Sequence, residues 1–147
     1  MSDLDALDRL TAAFFAAVSF TRGGQPNYDG IRPLFLERGL LIRSSGAAPQ
    51  VSDVEQFIAP RAASAASGEL SEFREWELSG ESVVWGNVGH RLSRYAKTGM
   101  SAGTPIEGRG LITTQFVRTP EGWRISVMAW DDERPGLSLD QLDSATP

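Results

Sequence analysis

A chain of 147 residues, 41 % of them hydrophobic, has the length of one domain and enough apolar surface to close a core. It carries no cysteine and a single histidine, which excludes disulfides, thiolate nucleophiles and cysteine-ligated zinc and leaves little for a histidine-based metal centre. A net charge of −5, with Lys97 as the only lysine, argues against nucleic acid or an anionic membrane as a partner, since their phosphates call for clustered Lys and Arg.

The amino-terminal MSDLDALDRL is acidic, with no basic segment leading into an apolar one, and no apolar run has the length of a membrane span. A cytoplasmic protein is expected. Leu4, Leu7, Leu10, Phe14 and Val18 form one helical stripe behind Ser2 as N-cap, so a first helix should run to about Phe20. TRGGQPN breaks it. YDGIRPLFLERG reads as a shorter second helix, capped by Asp29 and ended by Gly39, followed by a short strand, LLIRSS. Ser52 and Glu55 have capping-box spacing and open a third helix, which Pro60 should kink or divide.

After Gly68 the texture changes to β-branched and aromatic residues. Four long strands are expected as an antiparallel meander, with a loop over 98–108 and a turn at Pro120. The leucines at 137, 139 and 142 fall in a tail. Helices first and a meander after them predict an α+β fold whose helices cover one face of a curved sheet, leaving a cone suited to a small molecule.

Three segments, YDGIRPLFLERGLLI, LSGESVVWGNVGHRL and GRGLITTQFVRTPEGWRISVMAW, make this order resemble the nuclear-transport-factor-2-like superfamily, in its uncharacterised SnoaL-related branch. The last segment, opening Gly-Arg-Gly, is the most specific. The resemblance implies a cystatin-like α+β cone: a strongly curved antiparallel or mixed sheet with three N-terminal helices on its concave face. One domain over residues 1–134 and a tail over 135–147 are expected. It also implies a homodimer through the outer sheet face, for which Trp85, Met128 and Trp130 are the aromatic and apolar residues on hand.

Activity does not follow from the fold. Ketosteroid-isomerase chemistry needs a tyrosine in the first helix, where this chain has Phe14 and Phe15; Tyr28 is the available substitute. Dehydratases of the scytalone type resemble a two-histidine arrangement, and only His90 is present. An Asp-Arg-Asp water-activating relay would have to come from Asp131 or Asp132, Arg91 or Arg109, and a further acid.

Alternation along the strands selects among these. Read as one strand, SVVWGNVGHRLSRY places Val84, Val88, His90 and Leu92 on the cavity face; FREWELSG places Arg74 and Trp76 there. The last strand puts Trp123, Ile125, Val127, Ala129 and Asp131 inward and Met128 and Trp130 outward. The expected site is therefore catalytic His90 and Asp131, with Tyr28, Arg74, Trp76, Val88 and Leu92 binding a small hydrophobic or aromatic molecule. Neither cofactor nor metal is expected, because no phosphate loop or metal-ligand spacing occurs. Two functions fit: a cofactor-independent cyclase, isomerase or hydrolase, or a non-catalytic dimeric binding module. A one-residue bulge would invert every inward and outward assignment beyond it.

Overall fold

The structure is a computed structural model, and it describes residues 1–142. Helix α1 spans Asp3–Val18. Ser2 caps it in a capping box: Asp5 N–H donates to the Ser2 hydroxyl and Ser2 N–H to the Asp5 carboxylate, each at 3.1 Å. Leu7, Phe14, Phe15, Ala17 and Val18 are buried. The expected second helix is a 3-10 helix, Tyr28–Leu34, and Phe35–Arg43 is already strand β1. Pro33 disfavours α geometry in the residue before it, and LLI pairs better in a sheet than on a helix. Gly39 is inside β1, at a register shift between Phe35 and Leu40, so it marks a bulge and not a helix end.

Strand β2, Gln50–Asp53, was not expected. It delays the next cap by one residue: Asp53 and Gln56 form the capping box of α2, Val54–Ala66, which continues undivided through Pro60. Strands β3 (Leu70–Trp85), β4 (Val88–Ser101), β5 (Thr104–Thr119) and β6 (Gly122–Asp132) are the meander. The loop expected over 98–108 is instead strand with a two-residue turn, Ala102 and Gly103, both at positive φ as a type I′ hairpin requires.

The sheet has six strands in the order β2-β1-β6-β5-β4-β3, antiparallel except for β1 beside β6. It is curved and mixed, and α1, the 3-10 helix and α2 cover its concave face. The core lies there, where Leu7, Phe14, Phe57 and Ile31 meet Leu41, Ile112, Phe116, Ile125 and Met128. Arg91, on β4 under α1, is buried in a closed ionic network: two bonds to Glu77 (2.6 and 2.9 Å), one to Asp8 (2.6 Å) and one to Ser82 (2.7 Å). The segment after β6 folds back through a short 3-10 turn, Leu139–Gln141, where Leu139 N–H donates to Glu133. The end of the expected tail, residues 143–147, lies outside the described residues.

Three irregularities decide which side chains face the helices. Gly86 and Asn87 form a two-residue hairpin turn, so Trp85 pairs with Val88 and Val84 with Gly89. Leu78 is an extra residue in β3, between the pairs Glu77–Tyr95 and Ser79–Arg94. Ser126 is an extra residue in β6, between Ile125–Phe116 and Val127–Gln115.

Candidate functional site

These irregularities invert most of the alternation read from the sequence. Because the chain turns at Gly86 and Asn87 instead of running straight through, Gly89, Arg91, Ser93, Tyr95 and Lys97 face the helices. His90 and Val88 are exposed on the outer face, His90 opposite Val83, with Leu92 part-buried beside them. On β3, Phe73, Glu75 and Glu77 point inward. Arg74 stacks over Trp76 at 4.4 Å, an assignment opposite to the expected one. Past the Ser126 bulge, Met128, Trp130 and Asp132 turn inward and Asp131 outward, where its carboxylate pairs with Arg134 at 2.5 Å. Of the residues singled out from sequence, Tyr28 alone reaches the cavity as expected. Met128 and Trp130, assigned to the outer face, line the cavity, while Trp85 is 83 % exposed outside it.

The cavity holds about 240 Å³ between α1, α2 and the sheet. Its walls are mostly apolar: Phe14, Val18, Phe57, Phe73, Ile112, Met128 and Trp130. Phe57 meets Trp130 edge to face, with ring centroids 6.1 Å apart. Tyr28 and Leu70 also border a wider outer groove of about 780 Å³ between α2 and the segment after α1.

Polar groups enter from one side. Glu75 on β3 lies directly opposite Lys97 on β4, and both line the cavity. Lys97 reaches across β5 to Asp132 on β6, at 3.1 and 3.2 Å from its two carboxylate oxygens, and the Tyr95 hydroxyl donates to the same carboxylate. The Gly-Arg-Gly segment makes that crossing possible. A Cβ at Gly108 would lie 3.0 Å from Lys97 Cε, and one at Gly110 would lie 2.6 Å from Tyr95 Oη. Two glycines on the inner face of β5 thus leave a track for Tyr95 and Lys97, while Arg109 between them points outward to Glu133.

With Lys97 bonded to Asp132, Glu75 has no hydrogen bond from its carboxyl to a described residue. Its backbone N–H is held by the Ser19 hydroxyl at 3.0 Å, which fixes this stretch of β3 against the end of α1. Burial pushes the carboxyl up to about 7, and the Asp132 charge adds to this; Lys97 and Arg61 offset only part of it. Burial likewise raises Tyr28, and it raises Tyr95 together with the bond to Asp132. An acid that exchanges its proton near neutral pH therefore faces an apolar cavity, beside a lysine-held carboxylate. Among the described residues no group of three or more His, Asp or Glu could hold a metal ion, and no helix is long and apolar enough to cross a membrane.

Neither a protein-family model nor a curated protein matches the chain. Solved structures do. A protein from Novosphingobium aromaticivorans, named provisionally as an aromatic ring hydroxylase, superimposes with a TM-score of 0.73 at 19 % identity over 90 % of each chain. An NTF2-like protein with a cystatin-like fold from the same organism gives 0.68 at 19 % identity, over 97 % of this chain and 84 % of that one. A protein from Streptomyces avermitilis, named provisionally as a dehydratase of the NTF2-like family, gives 0.68 at 15 % identity, over 90 % of this chain and 96 % of that one. At these identities the likeness is one of fold.

Proposed function

The chain has the nuclear-transport-factor-2-like, cystatin-like fold, and from that premise we propose a protein that binds a small apolar or aromatic molecule in its cavity and exchanges a proton with it through Glu75. The observation that carries this reading is an unbonded carboxyl, raised to about 7, opening on an apolar cavity. A general acid or base works best when its pKa lies near the working pH, and Glu75 meets that condition. Lys97, which lines the cavity beside it and is held by Asp132, supplies a fixed positive charge toward a developing negative charge on a substrate. This is acid/base chemistry of the isomerase, dehydratase or cyclase kind, with Glu75 in the role that the sequence had suggested for His90. One structural neighbour, the Streptomyces avermitilis protein, carries a name of that enzymatic sort.

Methionine-methyl NMR tests the binding step. The chain has three methionines, and Met128 lines the cavity while Met1 is exposed at the terminus. Small aromatic probes should shift the Met128 methyl and leave Met1 unmoved. Probes that bind without touching Met128, or a full set that never binds, would sink the proposal.

The exposed Val83, Trp85 and Val88 at the β3–β4 hairpin extend an outer sheet face on which Leu92 is part-buried. We propose pairing of two copies through this face, with Trp85 in the role first given also to Met128 and Trp130. A parent chain that sediments as a dimer and a Trp85→Ser variant that sediments as a monomer support it; a monomeric parent or an unchanged dimer rules it out.

A further inference from the structure

Two arginines line the cavity without a carboxylate. Arg61 on α2 donates one N–H to the carbonyl of Phe57, 2.9 Å away, and its guanidinium lies 3.7 Å over the Phe57 ring. Arg43 ends the inward face of β1 beside Trp130. Neither takes part in an ion pair with a described residue. Burial lowers the pKa of Arg61 and the like charge of Arg43 lowers it further, although Tyr28 and Glu75 oppose this. Glu75, the carboxyl on the same cavity wall, is a weak acid there, and Asp132, bonded to the cavity-lining Lys97, is held by Lys97 and Tyr95. A part-buried guanidinium on an apolar wall, with no carboxylate bonded to it and a second, exposed guanidinium near enough to act on its charge, favours an anion.

We propose that the cavity takes an apolar or aromatic molecule bearing one carboxylate, its ring among Phe57, Met128 and Trp130 and its carboxylate forked by Arg61 and Arg43. The proposal rests on the reading of the cavity as a small-molecule site and adds the charge of its occupant. A planar carboxylate matches a guanidinium fork. A phosphate dianion would bring a second charge toward Glu75 on the neighbouring wall.

Calorimetric binding of 2-naphthoate, its neutral isostere 2-naphthamide and 2-naphthyl phosphate at pH 7 tests it. Naphthoate should bind about tenfold more tightly than naphthamide, the worth of one charge-assisted pair. That preference should fall to about twofold in Arg61→Met and return in part in Arg61→Lys. Naphthamide binding as tightly as naphthoate, or phosphate binding more tightly, overturns the carboxylate. So does a preference that survives both Arg61→Met and Arg43→Gln. Because the three probes are first compared on the unaltered chain, the result does not depend on a variant folding. Naphthamide that binds equally well and shifts the Met128 methyl would leave the cavity reading intact while ending this one; if none of the three binds, both fall.

Discussion

Glu75 and Glu77 are two residues apart on one strand and one face, yet their surroundings send them in opposite directions. Burial alone would raise Glu77, but the bonds from Arg91 and Ser93 and the Arg91 charge outweigh it and hold its carboxyl below the usual range. Burial raises Glu75 with no such bond to oppose it, and its opposite neighbour, Lys97, is turned to Asp132. Deeper burial and the lack of hydrogen bonds to the ionised form together separate the proton-exchanging carboxylate from the structural one. The closed network under α1 is thus a clamp, and the open one beside the cavity is the proposed site.

Breaking the clamp should have the largest effect. Arg91→Met leaves Glu77 part-buried without its partner and releases Asp8 on α1, and should cost about 3 kcal/mol in denaturant unfolding. Adding Glu77→Gln should recover part of that loss; a double variant as unstable as the single one would show that the pair is not the cause.

A smaller effect of opposite sign is expected at Glu75. Its folded pKa of about 7 exceeds the ordinary 4.5, so the folded chain holds the extra proton between those values. Stability attached to Glu75 is complete below about pH 4.5 and is lost as pH rises through 7. Glu75→Gln should therefore be more stable than the parent at pH 8, by about 2 to 3 kcal/mol, and nearly equal to it at pH 4.5. An equal change at both pH values would contradict the raised pKa.

The smallest effect belongs to the residue that sequence favoured. His90→Ala, on the outer face, should change stability by no more than about 0.5 kcal/mol and leave the binding of aromatic probes unaltered. Weaker probe binding in that variant would restore His90 to the site.

Helix α1 and the long strands were legible because they depend on local chemistry, the Ser2 cap, the stripe through Leu7 and Phe14 and the β-branched runs after Gly68; the 3-10 helix, β2 and the strands through 98–108 were not. Nor were the faces. Plain alternation runs straight through Gly86 and Asn87, whereas a Gly-Asn pair between two strand-like runs is itself a hairpin signal, one that turns Tyr95 and Lys97 inward. Nothing comparable marks Leu78 or Ser126, because a bulge is fixed by pairing with a distant strand and leaves no constraint on its own residue.

By itself, then, the sequence determined an α+β chain with helices before a meander, an acidic and cysteine-free composition, and a set of inner-face glycines whose purpose it did not disclose. Only the tertiary structure decided that Glu75, Lys97, Tyr95 and Asp132 meet while His90 and Asp131 do not. One residue of register moves every later side chain to the other face of a sheet, and register is set between strands, not along them.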